Sequence, residues 1–264
     1  MHAPNQVPEC REDLAREEAL LSCILDMGEM LLTSGAEVMR VEDTISRLCA
    51  VYDFSRADVF TITSSIVLTV RTAGGRTMTQ TRRIWRRDTD LGRVEKVNAL
   101  SRRLCAAPLP LSEFQSEIAA LRGAGTYPGW AQRLMYVIIS AAFSLFFGGS
   151  PADAAAGAIA GLVLFQTLRL CAPARLNGTL QCIFASFVTG IAAVLLYRLG
   201  LGHDPELIVI GNIMLLIPGL AFTTALRDII NGDTLSGLLG LCEAILRALA
   251  VAMGFAVVLM WTGG

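Results

Sequence analysis

Charged residues and histidines are scarce in this sequence. Of its 264 residues, 17% are charged and two are histidines, whereas 53% are hydrophobic. Because an ordinary soluble protein has about 25% charged residues, this composition is not that of a purely soluble chain. The two histidines, His2 and His203, lie far apart in the sequence, so a catalytic triad that depends on histidine is not expected.

Other signatures of chemistry are missing as well. The seven cysteines form no CxxC pair, so neither a zinc site nor a disulfide framework is indicated. No glycine-rich phosphate loop follows a predicted strand. The first thirty residues also lack the basic and apolar regions of a cleavable signal peptide. We therefore expect no metal and no cofactor, and an N-terminal region that stays in the cytoplasm.

The charges that are present lie mostly in the first half of the chain. Between Met1 and Gly129 there are 33 of the 45 charged residues, and only 11 lie between Ser150 and Gly264. This split predicts a cytosolic domain at 1–126 and a transmembrane domain at 127–264. Acidic residues balance the basic ones to a net charge of −1, so no nucleic-acid partner is expected.

The N-terminal half has the patterns of an α+β domain with the order ααββαα. A Ser34-Gly35-Ala36-Glu37 box predicts a helix start, with Glu37 as the capping carboxylate at the third helical position. Two threonine-rich runs joined by Gly74-Gly75 predict a single hairpin. The predicted elements are helices at 12–32, 90–105 and 111–121, a helix that opens at the Ser34 box and continues to Leu48, and strands within 58–71 and 76–84.

The C-terminal half is mainly α-helical and consists of apolar runs of about the length that crosses a bilayer. It predicts five transmembrane helices, of which the first requires Arg133 to extend its side chain to the membrane surface. Arg169 and Arg227 then fall on the cytoplasmic side, as the bias of positive charges predicts. The spans lie near 130–149, 152–170, 178–197, 207–225 and 240–261.

Small residues recur at helical spacing in two of these spans. Gly157 and Gly161 form a GxxxG pattern, and Ser236, Gly240 and Ala244 begin a stripe on the last helix. Since lipid gives helices no hydrophobic reason to associate, such faces indicate close helix packing. The contact could be made within the chain, with a partner subunit or with a second copy of the chain.

Several carboxylates near the membrane have structural explanations. Ser150-Pro151-Ala152-Asp153 is a good helix start, Asp233 is a candidate helix N-cap, and Glu243 could pair with Arg247 one turn later. Asp228 has no such explanation, because a negative charge is unfavourable at the C-terminal end of a helix.

One predicted helix combines a break with polar residues. Pro218 cannot donate a hydrogen bond to the carbonyl of Met214, which gives either a simple kink or an exposed backbone site beside Gly219. On helical spacing, a polar face continues from the middle of the membrane to the cytoplasmic end. Broken helices with polar faces form the binding sites of secondary transporters. The residues of this face are Asn212, Gly219, Thr223 and Arg227.

These motifs together resemble the threonine/serine exporter family. The resemblance rests on Leu215 to Leu220, Leu226 to Asp233 and Ser236-Gly237, with Ser34 to Glu37, Val41 to Asp43, Thr61 to Thr69, Phe146 to Gly149 and Gly211-Asn212 in similar order. It implies a cytosolic domain, five spans and export of small hydrophilic metabolites across the inner membrane, driven by protons. It also implies the split form of the family, with a small membrane partner subunit.

The sequence thus leads to the hypothesis of a secondary exporter for threonine-like or serine-like amino acids. Arg227 would attract the substrate carboxylate, and Asp228 would carry the coupling proton or the substrate ammonium. The full predicted pathway is Asn212, Pro218, Gly219, Thr223, Arg227, Asp228, Asp233 and Glu243. Small dicarboxylates are an alternative substrate class. A membrane-anchored hydrolase using Glu42 and Asp43, or a sensor, is an alternative of another class.

Overall fold

The computed structural model describes residues 6–125, 127–174 and 177–262, which are mainly helical. His2 lies outside the described residues. The chain forms two compact units, which are described separately. The first unit comprises Met1–Ala124 and Leu220–Leu241, and the second comprises Gly125–Gly219 and Cys242–Gly264.

The first unit is an α+β structure to which a later part of the chain returns. The segment Leu220–Leu241 belongs to this unit together with the N-terminal residues. Its elements are α1 (Gln6–Thr33), α2 (Val38–Val51), β1 (Arg56–Ile62), β2 (Ser65–Arg71), β3 (Thr77–Arg83), α3 (Leu91–Ala106), α4 (Leu111–Gly123), α9 (Gly219–Ile230) and the start of α10 (Thr234–Thr262).

The prediction of two strands was wrong, because the first threonine-rich run forms two. Strands β1, β2 and β3 form one antiparallel sheet in sequence order, so the N-terminal pattern is ααβββαα. The β1–β2 turn consists of Thr63 and Ser64, neither of which has a positive φ. It therefore needs no glycine or asparagine, the usual hairpin signal. The predicted Gly74-Gly75 turn is confirmed between β2 and β3.

The core of this unit lies where helices α1 and α2 pack on the sheet and α3 and α4 pack on those helices. Alternate residues of β2, namely Ile66, Leu68 and Val70, are buried, as the two-residue period of a half-buried strand requires. They pack in one cluster with apolar residues of α1, α3 and α4. The helical spacing predicted for α2 is confirmed, since Val38, Val41, Ile45 and Leu48 are all buried.

The second unit is helical and holds the most apolar segments. It contains α5 (Gly129–Phe146), α6 (Pro151–Cys171), α7 (Gly178–Arg198), α8 (Pro205–Leu216) and most of α10. In the described residues, α6, α7 and α10 are long and apolar enough to cross a membrane, and α8 with α9 counts as a fourth span if the bent pair is one. The predicted first span is the 18-residue helix α5, which does not qualify. The five-span count therefore remains a prediction.

The start of α6 is as predicted. Ser150 is the N-cap, Pro151 follows it, and Asp153 completes a capping box by accepting hydrogen bonds from the Ser150 backbone N–H and hydroxyl. Asp153 also accepts from the backbone N–H groups of His203 and Asp204, at 2.6 and 2.9 Å. Four donors thus surround one buried carboxylate, which joins the start of α6 to the α7–α8 loop.

The GxxxG pattern of α6 packs closely against α5. A Cβ atom on Gly157 would lie 2.5 Å from Ser144 Oγ, and one on Gly161 would lie 2.8 Å from the Tyr136 carbonyl. Gly211 of α8 approaches the same stretch of α5, where its Cβ would lie 2.5 Å from the Ser140 carbonyl. Glycines on two helices thus let both backbones approach the serines of α5.

We expect Gly161→Ala to destabilise the chain. Alanine favours a helix over glycine by about 1 kcal/mol. Its methyl group would, however, overlap a backbone carbonyl that no rotamer change can move, and overpacking of this kind costs about 1–3 kcal/mol. The measurement is the thermal unfolding midpoint of the purified chain in detergent. Gly178→Ala is the control, because its Cβ would meet only an arginine side-chain atom at 3.8 Å. Equal midpoints for the two variants would contradict the packing argument.

Candidate functional site

The predicted break at Pro218 is present and divides two helices. Helix α8 ends at Leu216, α9 begins at Gly219, and the two are bent by 47°. The N–H of Gly219 donates to the carbonyl of Ile217 at 2.9 Å. A Cβ on Gly219 would meet no described atom within 4 Å, so no close approach occurs there. Because the helix is interrupted, the polar face predicted by continuous helical spacing does not extend from Asn212 to Arg227.

The C-terminal half of α9 carries the exposed part of the predicted site. Thr223 is exposed, and its hydroxyl donates to the carbonyl of Leu220 at 3.0 Å. One turn later, the guanidinium of Arg227 forms an ion pair with the carboxylate of Glu37. The Arg227 side chain is 60% exposed and that of Glu37 only 18%. The guanidinium therefore reaches from solvent to a largely covered carboxylate, which also lies 3.8 Å from Arg40.

The carboxylate of Asp228 has a structural partner that the sequence could not show. Asp228 is buried, and its Oδ1 accepts a hydrogen bond of 3.1 Å from the backbone N–H of Val38, the first residue of α2. The first N–H groups of a helix lack intrahelical acceptors and favour negative charge. The expected role of Glu37 was wrong, because Glu37 is the N-cap residue and its side chain makes no capping bond. Asp228 caps α2 in its place.

Asn212 lies in a different environment, inside the second unit. Its amide donates to the carbonyls of Ile208 and Gly157, and its Oδ1 accepts from Ser140 Oγ at 3.0 Å. The side chain is fully buried. Asn212 therefore joins three helices through hydrogen bonds that occupy both ends of its amide.

The small-residue stripe of α10 packs partly against α9. A Cβ on Gly237 would lie 2.7 Å from the carbonyl of Ala225, and one on Gly240 would lie 3.1 Å from the Ala225 Cβ. Ser236 and Ala244 are buried. The prediction missed Gly237, which makes the closer approach although it was part of the Ser236-Gly237 motif. At least part of the stripe is thus covered by this chain.

A second group of polar residues lies where α2, β1 and the start of α10 meet. Glu42 Oε1 accepts a hydrogen bond of 2.8 Å from the backbone N–H of Thr61 in β1. Burial raises the pKa of Glu42, the Thr61 N–H lowers it, and the negative charge of Asp233 raises it further. Asp233 lies directly before α10, whose Gly237 N–H donates to its carbonyl. Carboxylates with a pKa perturbed in this way are candidates for functional groups.

Glu243 and Arg247, on α10, do not form the predicted ion pair. Among the residues that the structure describes, no contact within 4 Å joins their charged atoms. The Arg247 guanidinium instead lies beside Gly178 at the start of α7. Asp43, a candidate of the hydrolase alternative, pairs with Arg47 at 2.8 Å on the surface of α2. The described residues contain no group of His, Cys, Asp or Glu that could hold a metal ion.

Two substitutions of Asp228 test its capping role. Asp228→Ala leaves the buried N–H of Val38 without an acceptor, which we expect to cost about 1–3 kcal/mol. Asp228→Asn keeps an oxygen for that bond and should lose less, roughly 0.3–1 kcal/mol, for the missing charge. Thermal unfolding of the purified chain measures both, and hydrogen exchange at the first turn of α2 gives a local readout. If alanine were tolerated as well as asparagine, the hydrogen bond would not stabilise the chain.

Comparisons with known proteins identify the family of this chain. The model of the threonine/serine exporter family, ThrE, matches residues 22–261. A "Probable threonine/serine exporter" of Mycobacterium tuberculosis is 22% identical over 89% of this chain and 45% of its own length. The chain thus spans about half of that relative.

Two further relatives match over nearly their whole length. A "Probable succinate transporter subunit YjjP" of Escherichia coli is 25% identical over 90% of this chain and 93% of its own. The protein of the same name from Klebsiella aerogenes is 24% identical over 94% and 96%. No solved structure matches. Because the family model covers most of the chain, this protein belongs to the threonine/serine exporter family, a family of membrane transporters.

Proposed function

We propose that this chain is one subunit of an inner-membrane secondary exporter for small metabolites that carry a carboxylate. The observation that carries the proposal is the Arg227 guanidinium, which lies mostly exposed at the end of a helix that follows a break and pairs with one carboxylate. A guanidinium fork binds carboxylates in a planar, two-bond geometry. Glu37 therefore offers Arg227 the same chemical group that a substrate would offer.

The arrangement in the membrane is part of the proposal. Five spans would be α5, α6, α7, the α8–α9 pair and α10, with residues 1–126 as a cytosolic domain. The three qualifying helices and the bent pair support four of these spans. Arg169 near the end of α6 would then lie in the cytoplasm, in accordance with the bias of positive charges. Arg175, in the same connection, lies outside the described residues.

A small membrane partner subunit is also proposed. Two relatives that match this chain over nearly their whole length are named subunits. A third relative is more than twice as long as the part that matches this chain. Both facts fit a transporter whose remaining part is contributed by another chain. The small-residue stripe of α10 remains a candidate for that contact, but only at positions that α9 does not cover. Its residues are Ser236, Gly240 and Ala244.

In the proposed mechanism, the substrate carboxylate exchanges with Glu37 on Arg227. Asp228 carries the coupling proton or meets the substrate ammonium, and Thr223 lies one turn earlier on the same helix. Pro218 and Gly219 let the two helix segments reorient. The predicted pathway also includes residues that lie farther from Arg227 in the sequence. They are Asn212, Asp233 and Glu243. The Asp228 carboxylate accepts a hydrogen bond from the first N–H group of α2. A proton or substrate that binds Asp228 must therefore compete with that hydrogen bond.

Small dicarboxylates such as succinate are a second candidate substrate class. The relatives named for succinate match this chain over more than nine-tenths of their length, whereas the relative named for threonine and serine is matched over less than half. A dicarboxylate has no ammonium group, so it would leave Asp228 to the proton. Metabolite profiling of the medium separates the classes, using native cells with and without the chain.

Arg227→Gln and Glu37→Gln should have opposite effects on substrate binding. Removal of the guanidinium weakens carboxylate binding, so we expect at least a tenfold higher KM for flux in vesicles from the native cells. Removal of the competing carboxylate should lower the KM, because Arg227 is then free to pair with substrate. If both variants raised the KM alike, the ion pair would serve only the fold.

Asp228→Asn tests proton coupling in the same vesicles. The amide still accepts from Val38 but cannot release a proton, so we expect flux driven by a pH gradient to disappear while exchange of labelled for unlabelled substrate continues. Asp58→Asn, on the exposed surface of β1, is the matched control. Unchanged gradient-driven flux in Asp228→Asn would refute the coupling role.

A further inference from the structure

The connection between β3 and α3 exposes a tryptophan among arginines. The segment from Arg82 to Arg87 contains four arginines and no acidic residue. Trp85 is 84% exposed, and the guanidinium carbon of Arg83 lies 5.4 Å from the centroid of its ring. Arg86, the next residue, is also exposed. Exposed apolar side chains mark interaction sites where they belong to a larger patch, so the surroundings of Trp85 are decisive.

The open face of the sheet extends this patch. Arg83 pairs with Ser65 of β2, and the next residue of β2, Ile66, is buried. Because successive side chains of a strand point to opposite faces, Arg83 lies on the face away from the core. Phe60 of β1 lies on the same face, opposite Val67, and is 58% exposed. The tryptophan that contacts Arg83 therefore continues an open face that already carries an exposed aromatic side chain.

Hydrogen bonds hold the beginning of this connection beside α10. The N–H of Ile84 donates to the carbonyl of Ser64 in the β1–β2 turn at 2.9 Å. A Cβ on Gly240 of α10 would lie 4.0 Å from the methyl group of Thr63, the other residue of that turn. Trp85 follows Ile84 directly, and consecutive Cα atoms are about 3.8 Å apart. The tryptophan is therefore one residue away from a turn that contacts α10.

The end of the connection is held close to α9. The N–H of Asp88 donates to the carbonyl of Thr33 at 2.9 Å, and a Cβ on Gly35 would lie 3.2 Å from the Asp88 carbonyl. The same α1–α2 corner contacts α9 through the hydrogen bond from Val38 to Asp228. Both ends of the connection thus lie against segments that contact α9 or α10.

The length of α10 indicates where the membrane surface passes. With 29 residues, α10 is about 43 Å long, whereas the hydrocarbon core of a bilayer is about 30 Å thick. The part from Cys242 to Thr262 is already about 31 Å long, and the turns before it, up to Leu241, belong to the first unit. In the proposed arrangement α10 therefore enters the membrane near Gly240, where Thr63 contacts it.

We propose that Trp85, Arg83 and Arg86 bind anionic phospholipid at the cytoplasmic surface of the membrane. The tryptophan ring lies at the level of the headgroups, which is the depth that suits its apolar ring and its N–H donor. The two guanidinium groups pair with lipid phosphates, for which their fork of donors is suited. The proposal rests on the proposed function only in requiring that α10 crosses the membrane and that the first unit is cytosolic.

The nearby acidic residues have partners of their own. Asp58, on the open sheet face, pairs with Arg56 at 2.9 Å. Asp90 is the N-cap of α3, and Asp88 accepts a hydrogen bond from the N–H of Thr89. Both of these carboxylates belong to the end of the connection that lies against α1, whereas Arg83 and Arg86 belong to the end that follows β3.

The fluorescence of Trp85 in the full chain tests the proposal. The chain has three tryptophans, so Trp130→Phe with Trp261→Phe leaves Trp85 as the single reporter. The purified chain is placed in nanodiscs of neutral phosphatidylcholine or of the same lipid with added phosphatidylglycerol. With the anionic lipid we expect emission at shorter wavelength and weaker quenching by aqueous acrylamide. Phosphatidylglycerol with brominated acyl chains should quench Trp85, because bromine quenches only on contact with the bilayer.

Removal of the two charges should reverse this response. A basic residue near an anionic surface changes binding by about fivefold, so Arg83→Gln with Arg86→Gln should shift the equilibrium towards free Trp85 by roughly that factor for each charge. The matched control is Arg16→Gln with Arg102→Gln, which removes two exposed charges from α1 and α3. Arg102 lies about 18 Å along α3 from its N-cap, so the control should respond as the natural pair does.

Three outcomes would overturn the proposal. They are equal quenching of Trp85 in the two nanodiscs, protection from acrylamide without quenching by brominated lipid, and a control pair that loses the response as well. The second outcome would indicate a protein partner or a second copy of the chain in place of lipid. Export in vesicles from native cells is measured separately: lipid contact without export would refute the proposed function, whereas export without lipid contact would refute only this inference.

Discussion

The hydrogen bond between the Val38 N–H and the Asp228 carboxylate joins residues 190 positions apart, and the composition of the first unit depends on it. Helix α2 begins with N–H groups that need acceptors, and its N-cap side chain, Glu37, is directed to Arg227 instead. Two adjacent residues of α9, Arg227 and Asp228, therefore contact the N-cap residue and the first residue of α2. The Arg227 guanidinium pairs with the Glu37 carboxylate, and the Asp228 carboxylate lies at the positive N-terminal end of α2.

In the proposed mechanism, these contacts connect the structure of the first unit to transport. In the proposed mechanism Arg227 and Asp228 bind substrate and proton, yet both already hold contacts that stabilise the unit. A ligand can shift a conformational equilibrium only by its different affinity for the two states. Displacement of Glu37 or loss of the Asp228 charge provides that difference, because each removes a contact at the start of α2. Under this proposal, substrate or proton binding changes the contacts that hold the start of α2.

Local patterns predicted much of the fold, whereas contacts between distant segments could not be predicted. The helical spacing of α2 and the GxxxG pattern of α6 depend on residues within a few turns. The spacing of α2 is confirmed, and the glycines of α6 lie close to α5. The β1–β2 turn was missed because Thr63 and Ser64 need no positive φ and therefore leave no glycine signal. The position of Glu37 was misjudged because an N-cap residue and a third-position carboxylate look alike when their distant partner is unknown.

The polar residues near the membrane differ in how completely their hydrogen-bonding groups are occupied. Asn212 and Asp153 have described partners on every side-chain oxygen and amide group, so their positions are explained by what they join. The Arg227 guanidinium, in contrast, is largely exposed beyond its one carboxylate. The sequence alone could not show this difference. A polar residue in an apolar helix indicates a functional site whether or not its hydrogen-bonding groups are already occupied. A group whose hydrogen-bonding capacity is already used must break a contact before it can bind a ligand, whereas an exposed guanidinium can exchange one carboxylate for another, and for this reason the proposed mechanism gives substrate binding to Arg227.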